Sequence, residues 1–304
     1  MTLSMSRHPR YNNPGMQVTI ECPNNLTLLS YLRDNLGLMG SKNGCNQGHC
    51  GSCTVIIDGK ACRACSIKIS KLQGSIVETI ENLSSAGAIH PLQDAFMKTG
   101  AVQCGFCTPG MIMAAKALLD QNHQPTEEEI REALRHNLCR CTGYSAILRA
   151  VQLAAAVLRG DPLAVGDRKI DQGKKPEDAS IGASPLKKDA VAKVTGGPLY
   201  AGDLHFENLL YGKLLLSRYP SARILNIGIT KAAAADGVAA VLTAKQIPGR
   251  NGFGLLNPHQ PVLAAERVRY IGEPLAVVFA ESEEAASLAH ISQVGPIELA
   301  YQLP

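Results

Sequence analysis

The 304-residue sequence has no tryptophan and only 4% aromatic residues. Proteins that bind single-stranded nucleic acid stack bases on aromatic side chains, so this class is disfavoured. Charge is sparse as well. Charged residues make up 18%, the net charge is +4, and no Lys/Arg tract concentrates it. No nucleic-acid partner is therefore expected, because phosphate neutralisation needs such a tract. No apolar run approaches eighteen residues, since the longest helical candidates are interrupted by Lys116 or Arg149, and no membrane span is expected. Residues 1–15 carry Arg7, His8, Arg10 and two Asn but no apolar stretch and no twin-Arg pair. They are expected to be a flexible N-terminus without an export signal, which points to a cytoplasmic location. No internal repeat is apparent. With 45% hydrophobic residues, the chain is neither disordered nor of low complexity. Its length suits about two domains.

Cysteine is missing from everything after Cys141, yet ten cysteines precede that point. Ten thiols in a reducing compartment are not expected to form a disulfide framework. Taken singly, a cysteine is a small buried hydrophobe, and Cys22 and Cys62 read that way. The other eight fall into two spaced sets.

The surrounding pattern is α+β. Met16 to Cys22 alternates as a short strand, and Leu26, Leu29, Leu32 and Leu36 lie on one helical face. A Gly/Cys-dense loop runs from Gly40 to Cys53, and Thr54-Val-Ile-Ile-Asp-Gly reads as a hairpin turning at Asp58-Gly59. From His90 to Leu158 the periodicity becomes helical and predicts a bundle of about four helices. There Thr108 is the expected N-cap before Pro109, Thr126 with Glu129 is a capping box, and Gly143 to Leu158 is the last helix. Residues 160–185 read as a linker. Beyond it lies a cysteine-free α/β region, with strands at Gly212 to Leu216, Val238 to Leu242 and Ala276 to Ala280 and Ala-rich helices around 231–235 and 283–290.

The first cysteine set is Cys45, Cys50 and Cys53, a C-x4-C-x2-C run, with Cys65 eleven residues further on. Four thiolates from one glycine-interleaved loop suit a [2Fe–2S] cluster in the plant-type ferredoxin spacing. Zinc sites usually pair two similar knuckles, and the triplet fits them poorly. His49 reads as an ordinary loop residue. The second set is Cys104 and Cys107, then Cys139 and Cys141 across two helix junctions. The positive end of the helix after Cys107 is expected to favour thiolate there. Spacing alone leaves zinc and iron–sulfur both open for this set; its neighbour favours iron–sulfur. Two clusters in one small unit mean electron transfer.

Three segments carry a family resemblance: Gly44-Cys-Asn-Gln-Gly-His-Cys-Gly-Ser-Cys-Thr-Val, Val102-Gln-Cys-Gly-Phe-Cys-Thr-Pro-Gly and Asn137-Leu-Cys-Arg-Cys-Thr-Gly-Tyr. They resemble the two-cluster unit of the xanthine oxidase family of molybdenum hydroxylases, with all eight ligand positions present. Ser41 and Ser52 depart from the common Thr and Ala without touching a ligand. The eleven-residue gap before Cys65 looks more like the aldehyde oxidoreductase and carbon monoxide dehydrogenase branches than animal xanthine oxidase. More weakly, Lys193-Val-Thr-Gly, Tyr200-Ala-Gly-Asp, Pro248-Gly, Val268-Arg-Tyr-Ile-Gly-Glu-Pro and the Glu298 to Pro304 segment resemble the a/b hammerhead that opens the molybdenum-binding part.

The resemblance implies a plant-type ferredoxin β-grasp domain over 16–89, a four-helix [2Fe–2S] bundle over 90–159 and an α/β hammerhead over 186–304. It implies two [2Fe–2S] clusters, on Cys45, Cys50, Cys53 and Cys65 and on Cys104, Cys107, Cys139 and Cys141. It also implies that Gln103 and Cys141 contact molybdopterin cytosine dinucleotide held by a partner subunit. FAD is expected only on a separate subunit, because no FAD-binding domain lies between bundle and hammerhead. The chain stops short of the family's large molybdenum-binding domains, so no catalytic residue is expected here. Glu273 lies in a matching motif and reads as a surface or structural acid. The expected function is the electron-transfer subunit of a multi-subunit molybdenum hydroxylase, acting on an N-heterocycle or aldehyde. The alternatives are a self-standing ferredoxin-like carrier or redox sensor, and a zinc-stapled interaction module.

Overall fold

The structure is a computed structural model and describes residues 2–5, 16–19, 26–84, 88–161, 185–204, 206–292 and 298–300. It mixes helix and sheet in two compact units, Met1–Asp203 and Leu204–Pro304. Among the described residues no helix is long and apolar enough to cross a membrane.

The first unit opens with strands β1 (Thr2–Met5) and β2 (Met16–Thr19), paired antiparallel. Part of the expected flexible terminus is therefore a strand: Thr2-Leu-Ser-Met alternates polar and apolar, too short a run to stand out. A short helix follows, α-helical over Leu28–Ser30 (α1) and wider, π-type, over Tyr31–Asn35. The Thr27 hydroxyl accepts from Ser30 N–H and starts it. Strands β3 (Thr54–Ile57) and β4 (Lys60–Arg63) form the expected hairpin, turning at Asp58 (φ 49°) and Gly59 (φ 78°). With β5 (Ile76–Glu78) they complete a five-stranded sheet of order β2-β1-β5-β3-β4, in which the β1–β5 pair is parallel.

Strand β3 is apolar throughout because both of its faces are covered. Val55 and Ile57 join a core with Leu28, Leu29 and Leu32 on one side. Ile56, pointing the opposite way, joins the helical core with Phe96, Met111 and Ile112. That second core is shared by α2 (Pro91–Lys98), α3 (Thr108–Leu119), α4 (Glu127–Leu134) and α5 (Ser145–Leu158). Each fully buried large side chain there contributes roughly 1.5–3 kcal/mol.

The helix starts explain where the loops between them lie. Thr126 and Glu129 form the expected capping box on α4, with bonds of 3.2 and 2.7 Å. A second box on α2 uses His90, whose Nδ1 accepts from Leu92 N–H (3.1 Å), and Gln93, whose Oε1 accepts from His90 N–H (3.0 Å). Helix α3 departs from expectation: it begins at Thr108, and Cys107 occupies the N-cap position, its carbonyl accepting from Met111 N–H (3.0 Å). The expected 160–185 linker lies outside the described residues over 162–184.

Residues 185–203 also depart from expectation. They belong to the first compact unit and not to the second, which puts the boundary past the expected 186. Their helix α6 (Ala190–Val194) packs Ala190 and Val194 into the helical core.

The second unit carries two three-stranded antiparallel sheets. One has the order β6-β10-β8, from β6 (Tyr211–Leu216), β8 (Val238–Thr243) and β10 (Pro274–Ala280), the three strands expected. Helices α7 (Thr230–Ala233) and α8 (Glu283–Ser292) pack on it, Ala232 and Ala289 sharing a core with Val241 and Val278. The other sheet, β11-β7-β9, uses β7 (Ala222–Asn226), β9 (Arg267–Val268) and β11 (Glu298–Ala300), which periodicity did not single out.

Candidate metal centres

The first cysteine loop runs between the π-turn and β3. Its fourth cysteine, Cys65, sits on a single 3-10 turn, Ala64–Ser66, just after β4. Left-handed conformations at Asn46, Gly48 and Gly51 reverse the chain repeatedly and turn N–H groups inward. Gln47, His49 and Cys50 N–H all approach Cys45 Sγ at 3.4 Å, and Gly48 N–H approaches Cys65 Sγ at 3.2 Å. These donors, Cys50 N–H first, bring the Cys45 thiol down to about 6. Cys53 lies deeper, and burial pushes its thiol up to about 12. The Cys50 side chain also lowers the Cys45 thiol, and the Cys65 and Cys50 thiols add to the upward push on Cys53.

The second set is built at two helix junctions. Cys104 and Cys107 precede α3, and Cys139 and Cys141 lie between α4 and α5. Here too the thiols act on one another: Cys139 and Cys104 raise the Cys107 thiol, and Cys104 raises that of Cys141. The helix end does not favour thiolate at Cys107 as expected. Burial, then the neighbouring Cys139 and Cys104, push its thiol up. Burial also works upward at Cys139, but the hydroxyl (3.1 Å) and N–H (3.4 Å) of Thr142 overcome it and lower that thiol.

The two loops interlock. Leu138 N–H donates to the Cys50 carbonyl at 2.9 Å, and the buried Asn137 amide reaches Gly51 O (2.9 Å) and Thr54 Oγ1 (3.2 Å). Gly51 is required: its φ is +69°, and a Cβ there would stand 2.3 Å from the His136 carbonyl. Tyr144, at φ +71°, accepts from Cys139 N–H on its hydroxyl at 2.9 Å, so the second loop is fixed from the other side too.

Of the eight expected cysteines, four lie on the first loop and the turn after β4, and four at the two helix junctions. Among the described residues no three His, Cys, Asp or Glu side chains gather as a single metal ion would need. A two-iron cluster makes a different demand, two thiolates at each iron. The nine described cysteines are all free of disulfides. Cys62 stands apart on β4, its thiol raised by burial, and Cys22 lies outside the described residues. His49 is exposed, contributing only its backbone donor. Gln103, Cys104 and Cys141 are all solvent-exposed. Glu273 is buried and structural, accepting from Arg269 Nε (3.0 Å), Arg269 Nη2 (2.5 Å) and Arg269 N–H (2.6 Å).

Some contributors to these sites were not foreseen. Thr142, one residue past Cys141, had a visible signal in its hydroxyl. Asn137 opens one of the family segments, but nothing local points to its partners, which lie more than eighty residues away.

Three family descriptions match in succession. They are "2Fe-2S iron-sulfur cluster binding domain" over residues 12–83, "[2Fe-2S] binding domain" over 79–152, and "Aldehyde oxidase and xanthine dehydrogenase, a/b hammerhead domain" over 195–295. The chain is 39% identical over 279 residues to the aldehyde oxidoreductase of Megalodesulfovibrio gigas, covering 86% of this chain and 30% of that protein. It is 48% identical over 130 residues to the nicotinate dehydrogenase small FeS subunit of Eubacterium barkeri, covering 43% of this chain and 83% of that protein. The solved aldehyde oxidoreductase of Desulfovibrio desulfuricans matches all of this chain with 37% identity and a TM-score of 0.82, over 34% of its own length. The chain therefore spans about a third of the aldehyde oxidoreductases it resembles.

Proposed function

The chain belongs to the xanthine oxidase family of molybdenum hydroxylases, and on that premise we propose that it serves as the electron-transfer part of such an enzyme. It would work between a catalytic subunit that binds molybdenum and an electron acceptor, which is FAD where a separate subunit carries one. The observation that carries this reading is that the two cysteine-bearing loops are hydrogen-bonded to each other, Leu138 N–H to Cys50 O and the Asn137 amide to Gly51 O.

The donor chemistry fits two [2Fe–2S] clusters, one on Cys45, Cys50, Cys53 and Cys65, the other on Cys104, Cys107, Cys139 and Cys141. When bound, such clusters supply one-electron uptake and release with no open coordination position. The chain's own residues do the remainder. N–H groups of Gln47, His49 and Cys50 aimed at Cys45 Sγ, and of Gly48 at Cys65 Sγ, offset negative charge on sulfur. Burial of Cys53, Cys65 and Cys139 keeps water from those sulfurs, and the Asn137 joint fixes the spacing of the sites.

We read the five-stranded sheet with α1 as the β-grasp of a plant-type ferredoxin, helices α2 to α5 as the four-helix cluster-binding bundle, and the second unit as the hammerhead. Gln103 and Cys141, both exposed, would face molybdopterin cytosine dinucleotide on the partner. Exposed Leu209, Leu210, Leu214, Leu216 and Leu225 on the second unit support its docking to such a partner. A cytoplasmic location belongs to the same reading.

The test is iron and acid-labile sulfide analysis with visible and EPR spectra, followed by isolation from the native source. Expected are about four iron per chain, two distinct two-iron signals, and molybdenum co-purifying on a larger subunit. A colourless protein holding zinc would overturn the reading. A chain with both clusters and no molybdenum partner would favour the free carrier.

A further inference from the structure

The motifs Lys193-Val-Thr-Gly and Tyr200-Ala-Gly-Asp are left without a task by the proposed function. Both lie in a strap, residues 185–203, that is seated in the first unit by buried groups. Asp203 pairs with Arg33 and lies 3.9 Å from the Lys42 ammonium, all three buried. Lys42 also donates to Pro198 O (2.7 Å), and the buried Gln93 amide donates to Val194 O (3.0 Å).

Two strap side chains end on consecutive carbonyls of the second cysteine loop. The Lys193 ammonium donates to Gln103 O and the Tyr200 hydroxyl to Cys104 O, each at 2.8 Å. The approach leaves no slack. A Cβ on Gly105 (φ +87°) would stand 2.6 Å from Lys193 Cγ and 2.9 Å from the Tyr200 hydroxyl. The Tyr200 ring is itself fixed, edge-on to Phe106 at 5.0 Å and under the Lys42 ammonium at 5.1 Å.

We propose that Lys193 and Tyr200 are positioning residues that hold the Cys104 loop and raise the reduction potential of the second centre. A carbonyl that accepts a hydrogen bond makes the N–H of its own peptide unit a stronger donor. Those N–H groups belong to Cys104 and Gly105, which frame the ligand. Lys193 adds positive charge, offset in part by Asp189 at 2.6 Å on its exposed side. Reduction adds negative charge at the sulfurs, so donors and positive charge favour the reduced form. The inference rests on the reading that the second thiol set holds a [2Fe–2S] cluster.

The experiment is an EPR-monitored potentiometric titration of the cluster-loaded full chain. It compares wild type with Tyr200→Phe, Lys193→Met and Asp189→Asn, and the second centre is identified as the signal lost in Cys107→Ser. The second midpoint is expected to fall in Tyr200→Phe and Lys193→Met and to rise in Asp189→Asn, while the first stays in place. The reduced-to-oxidised ratio at fixed potential should change about three- to tenfold, a tenfold change being ~59 mV for one electron. Selective loss of the second signal in Tyr200→Phe also supports the assignment, because that variant keeps the ring and removes only the donor. Both signals present with unmoved midpoints, or both midpoints moving together, would overturn it. A wild-type chain without two-iron signals would instead overturn the reading beneath it.

Discussion

Leu138 N–H donates to the carbonyl oxygen of Cys50 at 2.9 Å, and this bond makes one object of the two cysteine loops. Cys50 belongs to the first thiol set, and Leu138 stands next to Cys139 of the second. Around the bond, Asn137 reaches Gly51 and Thr54. On the other side Gly110, in the first turn of α3, lies so close that a Cβ would meet Gly51 O at 2.3 Å.

Asn137→Ala removes two buried hydrogen bonds and is expected to cost about 1–3 kcal/mol. Urea unfolding of the cluster-loaded chain checks this, and an unchanged midpoint would contradict the role given to Asn137. The denaturant slope should not change, since the surface exposed on unfolding is the same.

The division of the cysteines is tested by metal content. Cys65→Ser should lower iron from about four to about two per chain and remove one of two EPR signals. Cys62→Ser should leave both signals intact, since Cys62 stands outside the thiol sets. Iron loss in Cys62→Ser would mean that the ligands are misassigned.

His90 makes the start of α2 pH-dependent. Burial, and then the Lys116 charge, hold its imidazole below the usual 6.5. Between the folded value and 6.5 the unfolded chain binds a proton that the folded chain does not. The stability from this cap is complete above pH ~6.5 and is lost as pH falls through the folded value. His90→Asn keeps a side-chain acceptor at the N-cap but does not titrate there. The drop in Tm between about pH 7.5 and about pH 5 should therefore be smaller in the variant than in wild type.

In the second unit, Arg269→Met would leave the Glu273 carboxylate buried with one backbone donor. The expected cost is about 2–3 kcal/mol, below the value for a fully buried pair because water reaches part of Arg269. Iron content should not change. Thermal unfolding and limited proteolysis report the first effect, and iron analysis the second.

What the sequence made legible was local. The Asp58-Gly59 turn, the Thr126–Glu129 box and the β6, β8 and β10 strands each announce themselves within a few residues. The first cysteine run reads as a unit because its spacing falls within one loop, whereas the second, split across two helix junctions, takes its reading from its neighbour. His90 as an N-cap was not, since imidazole seldom plays that part. Nothing local in the sequence links Arg33 and Lys42 to Asp203 until the fold brings residues 33 and 203 together. The strap was hidden for the same reason. Its motifs point forward along the chain, but its anchors lie behind it, at Arg33, Lys42, Gln93 and Gln103.

That backward reach has a consequence for assembly during translation. Chains tend to fold from the N-terminus as they leave the ribosome. The loop bearing Cys45 to Cys65 and its β3–β4 hairpin emerge before any of the strap is made. The loop bearing Cys104 gains the Lys193 and Tyr200 donors only after about a hundred further residues have been made. A nascent chain thus passes through an interval in which both cysteine loops have been made but the second still lacks these two donors.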